Sequence, residues 1–417
     1  MKKLLLFTTL VTTLFLQLTV SAAPVKLTRA ESVGMSSARL ANVERRLQAL
    51  LDEQDTGGFQ LLVARRGKVV MYENLGYANV EQKIPVTEQT LFRIYSMTKP
   101  VIAVAMMMLY EEGHFSLSDP LSKHIPQFAD LEVYTGVDEE GNMLLEAPQR
   151  EPTIHDLLQH TAGFTYGVFG DTPIDKAYRE QNLATPNQNL EEFIDKLASI
   201  PLLYQPGTRW VYSVAMDVQG YLIEKWSGQE LGTFLEKRLF DPLGMDQTMA
   251  WVPPESASLL ASMYTRNEAG DIEPYAGELY FDHFNPPAGF SGGAQLISTA
   301  DDYWRMCQML LDGGIFAGHR FLSPLTVELM SQDRLRDDIA FRDGLGFGFN
   351  VSVVRDNTLT DYPSSNGEFA WAGLASTVFW IDPNEELVVV LMTQFMPFRG
   401  AYYGELLHRL VRAAIIE

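Results

Sequence analysis

The sequence predicts an α+β fold: one antiparallel sheet built from both ends of the chain and flanked by helices, with an all-helical domain inserted between. Three observations predict it. Near the start, "FQLLVARRG" and "KVVMYENLGYAN" are two strand-like runs around Arg66-Gly67, a hairpin signal. Near the end, "GLGFGFNVSVV", "EFAWAGLASTVFWID" and "ELVVVLMTQF" read as strands again. Between Asp119 and about Asp302 the pattern is mostly helices and loops. The sequential strand–helix alternation of a parallel sheet is absent. The expected division is a signal segment over 1–22, a discontinuous sheet domain over 23–95 and 303–417, and a mainly helical domain over 96–302.

The elements follow in order. Lys2 and Lys3, an apolar run from Leu4 to Leu16 and small residues at Val20-Ser21-Ala22 form a secretory signal pattern with cleavage after Ala22. The run is short for a membrane span, so no stable insertion is expected after cleavage. A periplasmic or secreted location follows. Ala30 to Glu53 carry a helical pattern in Leu40, Val43, Leu47, Leu50 and Leu51. A helix from Ser96 ends near Gly113, a left-handed cap. "TGVDEEGNMLL" reads as an exposed hairpin. "EPTIHDLLQHTAGF", "NLEEFIDKLASIP", "SVAMDVQGYLIEKWSG" and "ELGTFLEKRLFDPLGM" read as helices. "STADDYWRMCQMLLDGG" is a helix capped by Ser298 or Thr299. Asp382-Pro383-Asn384 turns between the last strands, and a helix over about Tyr402 to Ile415 closes the chain.

Composition excludes several functions. The formal charge is −21, and loss of the signal lysines makes it −23. Phosphate binding needs clustered Lys and Arg, so nucleic acid is not an expected partner. One cysteine, Cys307, allows no intramolecular disulfide and sits in an apolar helical pattern, as a buried structural thiol does. Of the seven histidines none forms H-x-x-x-H, and no C-x-x-C exists. No metal and no cofactor are expected.

Two serines compete for the role of nucleophile. Ser96 opens "SMTKPVIAVAMMMLY". On a helix, residues i and i+3 share a face, which puts Lys99 beside Ser96. The run after Lys99 is almost wholly apolar, so the helix is buried all round. Burial and the positive end of the helix dipole both disfavour the charged lysine. A neutral lysine can then act as the base that a serine hydroxyl needs. First-turn N–H groups can hold an oxyanion, and Pro100 fits a first turn. Alone, S-x-x-K also describes a capping serine followed by a solvated lysine. Tyr212, in "QPGTRWVYSVAMDVQG", stands at a loop-to-helix junction and could relay a proton, or be a core tyrosine with one hydrogen bond. In "EFAWAGLASTVFWIDP", Trp371-Ala372-Gly373 lets a strand backbone approach a substrate, or is a strand with a glycine kink. The rival, Ser291 in "GFSGG", fits G-x-S-x-G with His319 and His408 downstream. Its context, "FDHFNPPAG", lacks the preceding strand that a nucleophile elbow needs. Gly289 to Gly293 therefore reads as a tight loop.

S-x-x-K, Y-S-x and W-x-G in this order resemble the class C β-lactamase-like serine hydrolases. That group includes penicillin-binding D-alanyl-D-alanine carboxypeptidases, class C β-lactamases and family VIII carboxylesterases. "TIHDLLQHTAGF", "LFDPLGM", "SGGAQLISTADDYWRM" and "GLGFGF" add to the resemblance, which spans about Leu27 to Phe395. It implies a β-lactamase/transpeptidase-like fold and an acyl-enzyme on Ser96. Lys99 and Tyr212 would share the proton transfers. The backbone N–H groups of Ser96 and Leu374 would form the oxyanion hole, and Trp371 and Gly373 would line the substrate site. Two departures narrow the group. Val214 replaces the asparagine of Y-x-N, and Trp371 stands where Lys or His usually opens the third motif. An apolar wall replaces a carboxylate-attracting charge, which suits neutral short or medium acyl esters, as in family VIII carboxylesterases. The alternatives are a β-lactamase or D-alanyl-D-alanine carboxypeptidase, and a non-catalytic relative that binds peptidoglycan. The expected partner is a small-molecule ester, β-lactam or peptide.

Overall fold

The fold follows from a computed structural model that describes residues 25–183, 185, 188–277 and 281–417. The expected signal segment lies outside the described residues. Eight strands form one sheet: β1 (Gly58–Arg65), β2 (Lys68–Asn79), β3 (Ile84–Pro85), β4 (Leu345–Phe347), β5 (Ser352–Val354), β6 (Phe369–Ala372), β7 (Val378–Asp382) and β8 (Leu387–Met392). Their order is β4-β5-β6-β7-β8-β1-β2-β3. Every neighbouring pair is antiparallel. The junction between the two ends of the chain is the β1–β8 ladder, in register from Gln60↔Met392 to Arg65↔Leu387.

Both central strands are buried along their whole length, because helices cover both faces of the sheet. Phe59, Leu61 and Val63 of β1 share one apolar core with α1 (Ser37–Asp52) and with the closing helix, Gly400–Arg412. Leu62 and Ala64 point to the opposite core, shared with α2 (Thr98–Glu111), α3 (Ala215–Ser227) and α4 (Ala300–Leu311). This is the β-lactamase/transpeptidase-like arrangement of a large antiparallel sheet flanked by helices. No helix among the described residues is long and apolar enough to cross a membrane.

Local signals account for most boundaries. The β1–β2 turn needs two left-handed residues, and Arg66 (φ 52°) and Gly67 (φ 70°) supply them. After α2, Gly113 adopts φ 81°. Thr299 caps α4 by accepting from the Asp302 amide at 3.2 Å. The acidic hairpin exists as Val133–Val137 paired with Met143–Glu146. Two expectations are corrected. The pattern from Ala30 to Glu53 is not one helix, since a short 3₁₀ turn ends at left-handed Gly34 before Ser36 caps α1. The runs "GLGFGFNVSVV" and "EFAWAGLASTVFWID" are each two strands. Left-handed Asn350 (φ 63°) breaks the first, and a turn over 373–377 with Ser376 at φ 74° breaks the second.

Replacing Thr299 by alanine removes the α4 cap. It is expected to lower the unfolding free energy by about 1 kcal/mol in a urea titration, with the denaturant slope unchanged.

Candidate active site

Ser96 lies in a 3₁₀ turn, Tyr95–Met97, that runs directly into α2. Three elements lock this turn. The ladder between Phe92–Arg93 and Ile297–Ser298 leads into it from one side. The Ile94 amide then donates to the Leu296 carbonyl at 3.0 Å, and the Leu296 amide to the Thr98 hydroxyl at 3.1 Å. From below, the Tyr303 hydroxyl of α4 donates to the Met97 carbonyl at 2.8 Å. Tyr95 takes φ 41°, a costly conformation for a bulky residue, held here by burial. The outcome is that Ser96 is turned toward Lys99 and Tyr212.

The geometry brings these three together. Lys99 Nζ is 3.2 Å from Ser96 Oγ, and the Tyr212 hydroxyl is 2.8 Å from the same atom. Tyr212 sits in the loop just before Val214 opens α3, and its ring covers Lys99 Nζ at 4.6 Å. Every residue of α2 from Thr98 to Leu109 is buried, so Lys99 has no route to solvent along the helix. Burial pushes its amine down to about 7, against the opposing pull of the Asp217 carboxylate. Burial pushes the Tyr212 phenol upward, the Ser96 contact working against it. At neutral pH, Tyr212 therefore carries its proton, and Lys99 is the group able to take one.

The third expected piece also lands here. The end of β6 packs against the serine turn. A Cβ on Gly373 would stand 2.2 Å from the Ile94 carbonyl oxygen and 2.3 Å from Thr377 Oγ1, so only glycine permits the approach. Leu374 follows in the 373–377 turn, which is closed by Gly373 N–H to Thr377 O at 2.8 Å. Trp371 faces Tyr212 with ring centroids 5.7 Å apart. Val214 is buried at the start of α3.

Aromatic side chains enclose Tyr212. Trp210 stacks parallel to it at 6.0 Å, and Tyr166 and Phe169 stand at 5.1 and 5.9 Å. Phe169 is 71% exposed, at the tip of the "GVFG" loop, so the mouth of the site is apolar. His160 is buried 5.1 Å from Tyr212, and its Nδ1 accepts from the Ser213 amide at 3.2 Å. Burial holds its imidazole far below the ordinary value, with Lys99 adding to the effect. It is a neutral brace for the tyrosine segment.

Ser291 is not arranged as a nucleophile. Its hydroxyl donates to Asp217 Oδ1 at 2.7 Å. His319 lies exposed on a small hairpin, and His408 is engaged by Glu368 and the Gly404 carbonyl. The loop instead contributes the Gly293 carbonyl, which accepts from Lys99 Nζ at 2.7 Å. Sequence reading missed that carbonyl, as well as Asp217 and Phe169. The glycines of "GFSGG" were the available signal, since a side chain at 293 would meet Tyr166, Asp217 and Lys99. Cys307 is buried in α4, and burial pushes its thiol well above the ordinary value. Among the described residues, no three His, Cys, Asp or Glu side chains cluster as a metal site would require.

A large antiparallel sheet with a Ser–Lys–Tyr cluster at the N-terminus of a buried helix defines a serine-hydrolase architecture. The chain matches the beta-lactamase family over residues 43–412 and belongs to that family. It is a beta-lactamase-fold serine hydrolase. It is 34% identical over 352 residues to an uncharacterized protein of Mycobacterium tuberculosis, covering 82% of this chain and 86% of that one. It is 28% identical over 372 residues to Esterase EstB of Burkholderia gladioli, covering 85% and 91%. Its fold superposes with a TM-score of 0.75 on EstCE1, a hydrolase with promiscuous acyltransferase activity. That match has 28% identity and covers 91% of this chain and 99% of the other.

Gly373→Ala tests the close approach. The displaced β6 end is expected to reduce kcat/KM on an activated ester by about 10²-fold, while far-UV circular dichroism stays unchanged.

Proposed function

We propose that this protein is a carboxylesterase acting on neutral short or medium acyl esters through an acyl-enzyme on Ser96. The observation that carries the reading is the position of Ser96 Oγ, 2.8 Å from the Tyr212 hydroxyl and 3.2 Å from a fully buried Lys99 amine. Neutral Lys99 takes the hydroxyl proton as Ser96 Oγ attacks the ester carbonyl. The backbone N–H groups of Ser96 and Leu374 hold the oxyanion of the tetrahedral intermediate. Tyr212 gives its proton to the departing alkoxide and is reprotonated from Lys99. Water then enters, gives up a proton along the same route and releases the carboxylic acid.

The choice of ester rests on the walls of the site. Trp371 and the apolar mouth around Phe169 offer stacking and apolar area and no cation for a substrate carboxylate. Esterase EstB among the relatives supports the same reading. Activity on β-lactams or D-alanyl peptides is the alternative chemistry for the same Ser96, Lys99 and Tyr212. The N-terminal signal pattern supports a periplasmic or secreted location.

Ser96→Ala is expected to lower turnover of p-nitrophenyl butyrate by at least about 10³-fold, and Ser291→Ala to leave most of it. The reverse result would overturn the mechanism. In the wild type, kcat/KM should rise with pH through about 7, because Lys99 must lose its proton to act as base. Trp371→Lys should shift the ratio of cephalosporin to butyrate hydrolysis upward, by about tenfold or more. An unchanged ratio would remove Trp371 from the account of specificity.

A further inference from the structure

Asp217 lies in the first turn of α3, five residues after Tyr212, and is buried without an arginine or lysine ion pair within hydrogen-bond reach among the described residues. A buried carboxylate is costly unless a charge or hydrogen bonds compensate it. Here Ser291 Oγ donates to Oδ1 at 2.7 Å. A Cβ built on Gly293 would stand 3.5 Å from Asp217 Oδ2 and 3.6 Å from Lys99 Nζ. The carboxylate and the amine therefore face each other across the bare backbone of Gly293, whose carbonyl already holds Lys99 at 2.7 Å.

Other titratable groups face Lys99 from every side. His160 and Tyr166 come from the loop after the Ile154–Leu158 helix, and Tyr212 from the loop before α3. Burial first, with nearby charges adding to it, keeps His160 neutral, and burial holds both phenols above their ordinary range. Burial pushes the Asp217 carboxyl upward, with the Ser291 hydroxyl and then Lys99 working against it, and Asp217 is the one carboxyl group of this set.

We propose that Asp217 is a positioning residue for Lys99: its carboxylate, held by Ser291 across Gly293, sets the pH at which the lysine exchanges the proton it takes from Ser96. The inference rests on the Ser96 and Lys99 reading given above and extends it. Burial alone pushes the amine further down, and a lower amine holds less well the proton that it takes from Ser96 and returns to Tyr212. The carboxylate opposes that drop and keeps Lys99 an effective acid and base in one cycle. A Cβ at Gly293 would crowd the Tyr166 hydroxyl at 2.8 Å and occupy the space that Asp217 and Lys99 border. Ser291 is the donor that works against the upward push of burial on Asp217.

The test is the pH profile of kcat/KM for p-nitrophenyl butyrate in four proteins: wild type, Asp217→Asn, Asp217→Glu and Ser291→Ala, with Ser96→Ala run alongside. Removing the carboxylate leaves burial unopposed, so the Lys99 amine drops and the acid limb of Asp217→Asn moves to lower pH by about one unit or more. Its plateau falls as the base weakens. Asp217→Glu keeps the limb near its wild-type position. Ser291→Ala moves it the same way as Asp217→Asn, by less, and carries the test if Asp217→Asn does not fold. A structural role would lower activity at every pH and leave the limb in place. An inactive Ser96→Ala with an unmoved limb in the folded Asp217→Asn, or in Ser291→Ala if the former is unfolded, overturns the role of Asp217 and leaves the serine mechanism standing. Retained turnover in Ser96→Ala overturns both.

Discussion

The site depends on the burial of one amine. Lys99 stands in the first turn of a helix whose residues from Thr98 to Leu109 are all buried. Water does not reach the amine along that helix, and its charged form loses solvation. The free-energy cost of this placement is met by the Gly293 carbonyl, the faces of Tyr212 and Tyr166, and the Asp217 carboxylate nearby. A lysine in this setting exchanges a proton near neutrality, which an exposed one does not. In the proposed mechanism, the packing of α2 between the helical layer and the sheet is therefore part of the chemistry, because it creates the base.

The sheet serves the same end. β1 and β8 join the two ends of the chain at its centre, and the cores on either face fix its position relative to α2. This frame delivers the turn after β6 to the serine turn, where Gly373 meets the Ile94 backbone. It also seats α4, whose Tyr303 holds Met97. Ser96, Lys99, Tyr212 and Leu374 arrive from three distant segments, yet each rests on a rigid element or on a short turn tied to one. In the proposed mechanism, a site held this way is preorganised for an intermediate whose charge develops on one oxygen.

Local features and the sheet joining both chain ends were legible in the sequence, and the side-chain partnerships across distant loops were not. Ser96 and Lys99 are three residues apart, so helix geometry alone places them together. The apolar run after Lys99 announces its burial. The sheet built from both chain ends follows from strand-like runs at each end, and Arg66-Gly67 announces its own turn. The breaks inside the C-terminal runs were hidden, because Asn350 and Ser376 adopt left-handed backbone that nothing in their immediate pattern demands. The partnership of Gly293 with Lys99 spans 194 positions. It depends on the short ladder between Phe92–Arg93 and Ile297–Ser298, two residues per strand, which is too brief to carry a periodic signal. "GFSGG" shows the limit of a motif without context: its glycines mark close approaches to the Gln188 and Met216 backbone and to the Tyr166 hydroxyl, and the serine between them supports an aspartate.

The most direct measurement of the central claim is peptide mapping by mass spectrometry after the folded protein reacts with a serine-directed fluorophosphonate. The account predicts a single adduct, on Ser96, formed faster as pH rises through about 7 where Lys99 loses its proton. An adduct on Ser291, or none on Ser96 in folded protein, would contradict it.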